Sequence, residues 1–195
     1  MLNIIIFGAP GSGKGTQSDL IKQFYNLAHI STGDVLRQEM KNETDLGKIA
    51  KGYIEKGQLV PDDLICDMLD KALGTLQDAK GVIFDGFPRT IPQAEVLEKI
   101  LAKRNMDITA LLDLKVDDDE LIKRLLERGK ISGRSDDNEE TIQSRLIVYH
   151  SQTAPLADYY QQKGKRIVIK GDGSINDIFH SIKEALKTEM KLSTN

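Results

Sequence analysis

The chain has no tryptophan, one cysteine and five prolines, and aromatic side chains make up only 5% of its 195 residues. A lone Cys66 excludes an intramolecular disulfide and a cysteine-built zinc site, and it reads as a small residue on an apolar helix face in a reducing compartment. Low-complexity tracts, fixed-period repeats and Pro/Ser-rich linkers are all missing, which excludes a disordered or beads-on-a-string organisation. Long apolar runs are missing too. Ile4-Ile5-Ile6-Phe7 stops at Gly8 and follows no basic stretch, so neither a signal peptide nor a membrane span is expected and a cytoplasmic location is. Nor does either charge dominate: 27 basic and 30 acidic residues leave a net charge of -3. With no global basic excess, nucleic acid or an anionic membrane is not expected as a partner, and any anion site has to be built locally.

What is present is ordinary globular material, 39% hydrophobic and 29% charged, in a length that suits one core with room for small inserts. Short apolar runs at Asn3 to Phe7, Val82 to Phe84, Ala110 to Leu114 and Ile167 to Ile169 do not alternate, so each reads as a strand buried on both faces. Between them lie helix-period segments such as Leu46, Ile49, Ala50, Tyr53 and Ile54, then Leu64, Ile65, Met68, Leu69, Ala72 and Leu73. Pro61 with Asp62 and Asp63, Thr90 with Pro92, and Asp117 to Asp119 mark helix starts, while Gly57 and Gly74 mark stops. A last helix is expected from Ile175 to Leu186, with Ile178, Phe179, Ile182 and Leu186 inward and the tail from Lys187 fraying. This alternation predicts an α/β fold, a parallel sheet with helices on both faces.

The first run leads into Gly8-Ala9-Pro10-Gly11-Ser12-Gly13-Lys14-Gly15-Thr16, and a helical pattern with Leu20, Ile21, Phe24 and Tyr25 on one side follows. Strand, glycine-rich loop and helix in this order form a phosphate cradle: backbone N–H groups converge on the oxygens, the helix N-terminus adds positive potential, and Lys14 supplies a mobile charge. The residue after Lys14 is Gly15 where Ser or Thr is usual, and the hydroxyl comes at Thr16.

Only eight of the 27 basic residues are arginines, so their placement is informative. Arginine offers a planar fork for phosphate that lysine lacks. Arg89 follows Asp85-Gly86-Phe87-Pro88 at the C-terminal end of a buried strand, where ligands lie in open α/β sheets. Arg124 and Arg128 share a helix face, which on its own reads more simply as a solvated face pairing with carboxylates. Yet Arg124, Arg128, Arg134 and Arg145 all gather around the polar segment 129–138, and with Arg37 and Arg89 they could neutralise a polyphosphate. Asp85 at a strand end could orient Mg²⁺ or its waters. His29, His150 and His180 sit in dissimilar contexts and read as structural or exposed. No nucleophile set is needed, because a phosphate acceptor is already ionised.

The segments Gly8 to Gln17, Ser31-Thr32-Gly33-Asp34, Asp85 to Thr90, Gly133-Arg134 with Asp136-Asp137, and Thr153 to Leu156 together resemble the adenylate kinase family over essentially the whole chain, a family in which Gly15 after the lysine is normal. The resemblance implies reversible transfer of a phosphoryl group from ATP to AMP, giving two ADP, with Mg²⁺ and without zinc, by a monomer. It implies ATP phosphates on Gly11, Ser12, Gly13, Lys14, Gly15 and Thr16, with the base near Arg128 and Gly173. AMP would be held by Thr32, Arg37, Gln58, Leu59, Val60, Gly86, Phe87, Pro88, Arg89 and Gln93, and also by Arg134 and Arg145. Lys14, Asp85, Arg89, Arg124, Arg134 and Arg145 would carry the catalysis. It further implies one domain over 1–195, with a core at 1–30, 61–126 and 138–195, a nucleoside-monophosphate insert at 31–60 and a short lid at 127–137. The rivals are a UMP/CMP kinase of the same fold, from which Thr32 and Gln93 distinguish this chain, and a non-catalytic nucleotide sensor, which would lack Lys14, Asp85 or several arginines. A GTPase is excluded by the absence of an Asn-Lys-x-Asp motif.

Overall fold

The structure of the protein is a computed structural model describing residues 1–76 and 79–192, with side chains described to residue 189 at the C-terminal end. Five parallel strands form one sheet in the order β2-β3-β1-β4-β5: β1 (Leu2–Phe7), β2 (Ala28–Ser31), β3 (Gly81–Asp85), β4 (Ala110–Lys115) and β5 (Arg166–Lys170). Central β1 sits with Ile5 opposite Phe84 of β3 and Leu111 of β4. Because side chains alternate across a strand, β1 feeds two cores. Ile4 and Ile6 join Ile21, Ile178, Ile182 and Leu186 of α1 (Lys14–Tyr25) and α9 (Ile175–Leu192) on one face. Ile5 and Phe7 join the larger cluster on the other face, beneath α4 (Asp62–Gly74), α5 (Ile91–Ala102), α6 (Asp118–Ser132), α7 (Glu139–Val148) and α8 (Pro155–Gln162). A single π-helical turn, Tyr149–Thr153, joins α7 to α8. Each such fully buried aliphatic or aromatic side chain contributes roughly 1.5–3 kcal/mol, which locks the sheet beneath the loops it carries.

The fold class read from the sequence is observed. Helix starts fall where expected: Pro61 precedes α4, the Thr90 hydroxyl accepts from the Gln93 N–H at the head of α5, and Asp117 precedes α6. Gly74 ends α4, and Gly57 (φ 69°) lies three residues beyond the end of α3 (Asp45–Ile54), donating its N–H to the Ile54 carbonyl. Cys66 packs part-buried on α4, where burial and Asp62, Asp63 and Asp67 push its thiol up to about 11.

Four details differ from the sequence reading. The strand β2, with α2 (Thr32–Lys41) after it, escapes the apolar-run criterion because Ala-His-Ile-Ser is short and mixed. The last strand β5 is an edge strand rather than one buried on both faces, and Val168 is 56% exposed. Helix α9 continues past Lys187 to Leu192, supported by the Glu184–Lys187 ion pair and by Thr188 Oγ1 donating to the Glu184 carbonyl; residues 193–195 lie outside the described residues. Phe24 is also 60% exposed rather than inward, its ring edge-on to Tyr25 and Phe179.

Candidate active site

The C-terminal ends of β1, β3 and β4 open into a cleft of about 720 Å³, within the usual range for a small-molecule site, and a second cavity of about 70 Å³ adjoins it. The glycine-rich loop crosses the floor. Gly11 (φ 87°) and Gly13 (φ 94°) hold left-handed conformations that side-chain-bearing residues avoid, and Gly13 delivers the chain into α1. Helix α1 has neither a side-chain cap nor an acidic residue in its first turn, whereas α2, α3, α4, α6, α7, α8 and α9 all carry an Asp or Glu there and Thr90 caps α5. Its N–H groups and positive dipole end are therefore left for an anion.

Lys14 folds back over this loop, and Nζ donates to the carbonyls of Gly8 (2.8 Å) and Ala9 (2.9 Å). Burial lowers its pKa to about 8; Asp85 opposes that shift, while Arg89, Arg145 and Arg128 add to it. Arg89 is similarly crowded: burial and then Arg145 bring it down to about 10, against the pull of Asp85, while Nε donates to the Gly86 carbonyl at 2.8 Å. Asp85 ends β3 nine-tenths buried, with His29 Nε2 at 3.5 Å from its carboxylate. His29, read from the sequence as structural or exposed, thus stands beside the site.

Of the remaining arginines of the site, all but Arg134 arrive already paired. Arg128 grips Asp137 through two bonds of 2.7 and 2.8 Å, and Arg145 reaches Asp137 at 2.7 Å and Asp136 at 2.9 Å. Burial works against the Asp137 carboxylate, yet the bonds and charges of Arg128 and Arg145 hold it below its ordinary value; in turn Asp137 outweighs burial and raises Arg128. Arg124 pairs with Glu120 at 2.8 Å, the plain i,i+4 arrangement, and also donates to the Gly171 carbonyl. Arg37 pairs with Asp34. The Arg134 guanidinium has no hydrogen-bond or ion-pair partner among the described residues, and burial with Arg37 and Arg128 nearby lowers its pKa.

The larger cleft is lined by Gly11 to Thr16, Phe87, Pro88, Arg124, Arg128, Arg134 and Gly173, with Asp85 at its floor. Thr32, Gln58, Val60 and Gln93 line the smaller cavity, and Arg37, Leu59, Gly86, Arg89 and Arg145 form the wall common to both. Phe87, Pro88 and Arg134 border the larger cleft but not the smaller cavity. Thr32 Oγ1 donates to the Gly86 carbonyl at 2.8 Å. The Gln93 amide spans from the Arg89 N–H (2.7 Å) to Asp62 Oδ1 (2.6 Å), so the expected base-reading side chain is itself held by Asp62. Asp62, Asp136 and Asp137 are the site residues to which the sequence reading gave no role. The Asp136-Asp137 doublet was visible, but its partners lie eight and nine residues away across a turn. Among the described residues, no three His, Cys, Asp or Glu side chains are grouped as a metal site, and no helix is long and apolar enough to cross a membrane.

Comparison with known proteins gives the family. The profile of the family described as Adenylate kinase matches residues 6–165. A protein of Parabacteroides distasonis named adenylate kinase is 69% identical over 186 residues, covering 95% of this chain and 98% of its own. Proteins of the same name from Bacteroides thetaiotaomicron and Azobacteroides pseudotrichonymphae are 61% and 53% identical over 186 residues, again 95% of this chain, with 98% and 97% of their own lengths covered. The chain belongs to the adenylate kinase family.

Proposed function

We propose that the cleft carries out reversible phosphoryl transfer from ATP to AMP, giving two ADP, the activity of the family. The observation that carries this reading is the shared wall: a phosphate loop with Lys14 faces one cavity, and Arg37, Arg89 and Arg145 stand between it and a second, smaller one. In this reading ATP phosphates lie on Gly11 to Thr16 with the base toward Arg128 and Gly173. AMP occupies the smaller cavity among Thr32, Gln58 to Val60, Gly86 and Gln93, its phosphate on Arg37, Arg89 and Arg145. Phe87 and Pro88 shape the passage between the two sites.

Two anionic substrates repel, so the transfer requires counter-charge placed before they meet. Lys14 releases the Gly8 and Ala9 carbonyls for phosphate oxygens, while Arg89, Arg124, Arg134 and Arg145 surround the group in flight. An ionised phosphate oxygen is the acceptor, and no side chain has to remove a proton. The Asp85 carboxylate is buried at the cleft floor and no hydrogen bond to it is formed among the described residues, which suits it to the waters of Mg²⁺ held mainly by nucleotide phosphates. When bound, that ion would neutralise charge on the phosphates. Residues 31–60, carrying α2 and α3, and residues 127–137, the end of α6 with the turn after it, act as the monophosphate insert and the short lid that close over the substrates and exclude water. The protein works as a soluble cytoplasmic monomer, without zinc.

The test is a coupled assay offering AMP, UMP, CMP and GMP with ATP and Mg²⁺. AMP should be strongly preferred, and chelation should stop turnover until Mg²⁺ alone is restored. Equal use of UMP or CMP would assign the chain to pyrimidine kinases, and no turnover of any acceptor would leave a nucleotide sensor.

A further inference from the structure

We infer that Thr141 and Ser144, on the outer half of α7, are positioning residues for AMP: they hold the segment that reads the base in register with the arginine that receives the phosphate. This rests on the proposed AMP cavity.

The seam is short. Thr141 Oγ1 donates to the Glu55 carbonyl at 3.2 Å, and Ser144 Oγ donates to the Lys56 carbonyl at 2.7 Å. Both acceptors lie just past Ile54, Glu55 as the C-cap of α3 and Lys56 after it, where a carbonyl has no partner in the helix and would otherwise need water. Between α7 and the cavity the chain then turns at Gly57. Its left-handed φ of 69° strains any side chain, and the fit is tight, since a Cβ there would lie 3.0 Å from the Thr141 carbonyl and from Arg145 Cγ, and 3.1 Å from the Arg145 backbone nitrogen. Gln58, Leu59 and Val60 follow at once, lining the smaller cavity that Arg145 also lines. Arg145 is one residue from Ser144 and one helical turn from Thr141.

Two hydroxyls and one glycine contact therefore join the far end of the α2–α3 insert to the helix that follows the lid, and they do so at the back of the AMP cavity. Thr141 is 6% exposed, so its hydroxyl has little water to exchange with. Without this seam the base-reading segment and the phosphate arginine would belong to independently moving parts, and AMP would have to order them on binding. The seam contributes pre-organisation to one substrate. Thr141 and Ser144 themselves line neither cavity; Gly57, Leu59 and Arg145, which they hold in register, line both, while the phosphate loop, Arg128 and Gly173, on which ATP is proposed to lie, border only the larger cleft.

The experiment is titration calorimetry of AMP and of ATP, with steady-state kinetics, on the full chain and on Thr141→Val, Ser144→Ala, the double variant and Thr141→Ser. Each lost hydroxyl bond should weaken AMP by roughly two- to tenfold and the pair by about tenfold or more, seen as a higher KM for AMP, with ATP affinity and KM for ATP unchanged and Thr141→Ser restoring most of the loss. Unchanged AMP affinity in a folded double variant overturns the inference and leaves the proposed function standing. Equal loss for both nucleotides, or a loss that Thr141→Ser does not rescue, marks a merely structural contact and also overturns it. If the unaltered chain binds ATP but no AMP, the cavity assignment itself fails and the inference with it.

Discussion

The phosphate loop and the arginine cluster face each other across one cleft and are prepared for anions in opposite ways. The loop is backbone held by a sheet, its helix end uncapped by side chain or acid, and its only committed charge is Lys14 on two carbonyls. The cluster is made of long side chains, most with carboxylates already in hand, Asp137 between Arg128 and Arg145, Asp136 on Arg145, and Glu120 on Arg124, while Arg89 and Arg134 hold none. A rigid cradle binds without rearrangement, whereas a paired arginine has to exchange one carboxylate for another anion, which lowers its net gain but prevents the bare cations from repelling one another. Under the proposed function the loop would provide affinity and the paired arginines would respond to it, Arg128, Arg145 and Arg124 offering their full charge density only when phosphate replaces their carboxylates.

The strongest way to break this comparison is Lys14→Met. It removes the single mobile charge on the preformed side, and turnover in a coupled assay should fall by at least about 100-fold while the thermal midpoint holds. A folded variant with near-normal turnover would sink the phosphate-loop assignment.

Within the arginine cluster, at the two members that hold no carboxylate, Arg89→Ala and Arg134→Ala should each slow turnover by about 10- to 100-fold and weaken a ligand of two adenosines joined by five phosphates, which would span both cavities. That ligand should compete with both ATP and AMP. Arg104→Ala is the control, because Arg104 pairs with Asp70 outside the cleft and its loss should do neither. Calorimetry showing AMP bound tightly alongside the pentaphosphate ligand would separate the two cavities and defeat the shared-channel mechanism.

Much of the first region was legible in the sequence and little of the second, for a physical reason. Gly8 to Thr16 is contiguous, so spacing alone places every backbone donor. The arginines were legible as a set, because Arg is scarce and clustered, but their acceptors were not. The Gln93–Asp62 bond spans 31 residues, and Thr141 reaches Glu55 across 86. Contacts of that kind follow from the packing of helices, which no local pattern encodes. The same limit hid β2, whose four residues gain strand character from neighbouring β3, and it overstated the burial of β5, whose apolar residues look alike whether or not another layer covers them.

Asp137→Asn sharpens the comparison from the carboxylate side. Breaking the buried anion's bonds to Arg128 and Arg145 should cost about 1–3 kcal/mol of stability near neutral pH. Because the folded carboxylate is held below its ordinary value, that contribution is present above the unfolded carboxylate pKa of roughly 4 and is lost as pH falls through the lower folded value. Denaturation curves of the two proteins should therefore converge in acid. The variant should also gain more stability than the parent from saturating pentaphosphate ligand, since its arginines have fewer partners to give up. Parallel pH profiles would refute the pairing as drawn.

The smallest effect concerns protons. With a folded pKa of about 8 against an ordinary 10.5, Lys14 in the empty cleft is partly neutral above pH 8, while bound phosphate favours the charged form. ATP binding at about pH 8.5 should take up a fraction of a proton, read from calorimetry in two buffers of different ionisation enthalpy, and the uptake should vanish in Lys14→Met and near pH 6.5. In the unliganded protein this lysine's contribution to stability should rise from pH 8 toward 10.5, since over that window the unfolded chain binds more protons at it. Proton release on binding would reverse the sign of the argument.

The bare start of α1 has a consequence beyond catalysis. Seven of the other helices bring an acid of their own to the first turn, and α5 brings the Thr90 hydroxyl, but α1 recruits its counter-ion from the surroundings. In any medium rich in phosphate or sulfate the cradle is then a point of exchange, where a nucleotide arrives by evicting a smaller oxyanion. Apparent affinity will follow the identity of the salt as well as its strength, so two buffers of equal ionic strength, one of chloride and one of phosphate, will give two different binding constants for the same molecule.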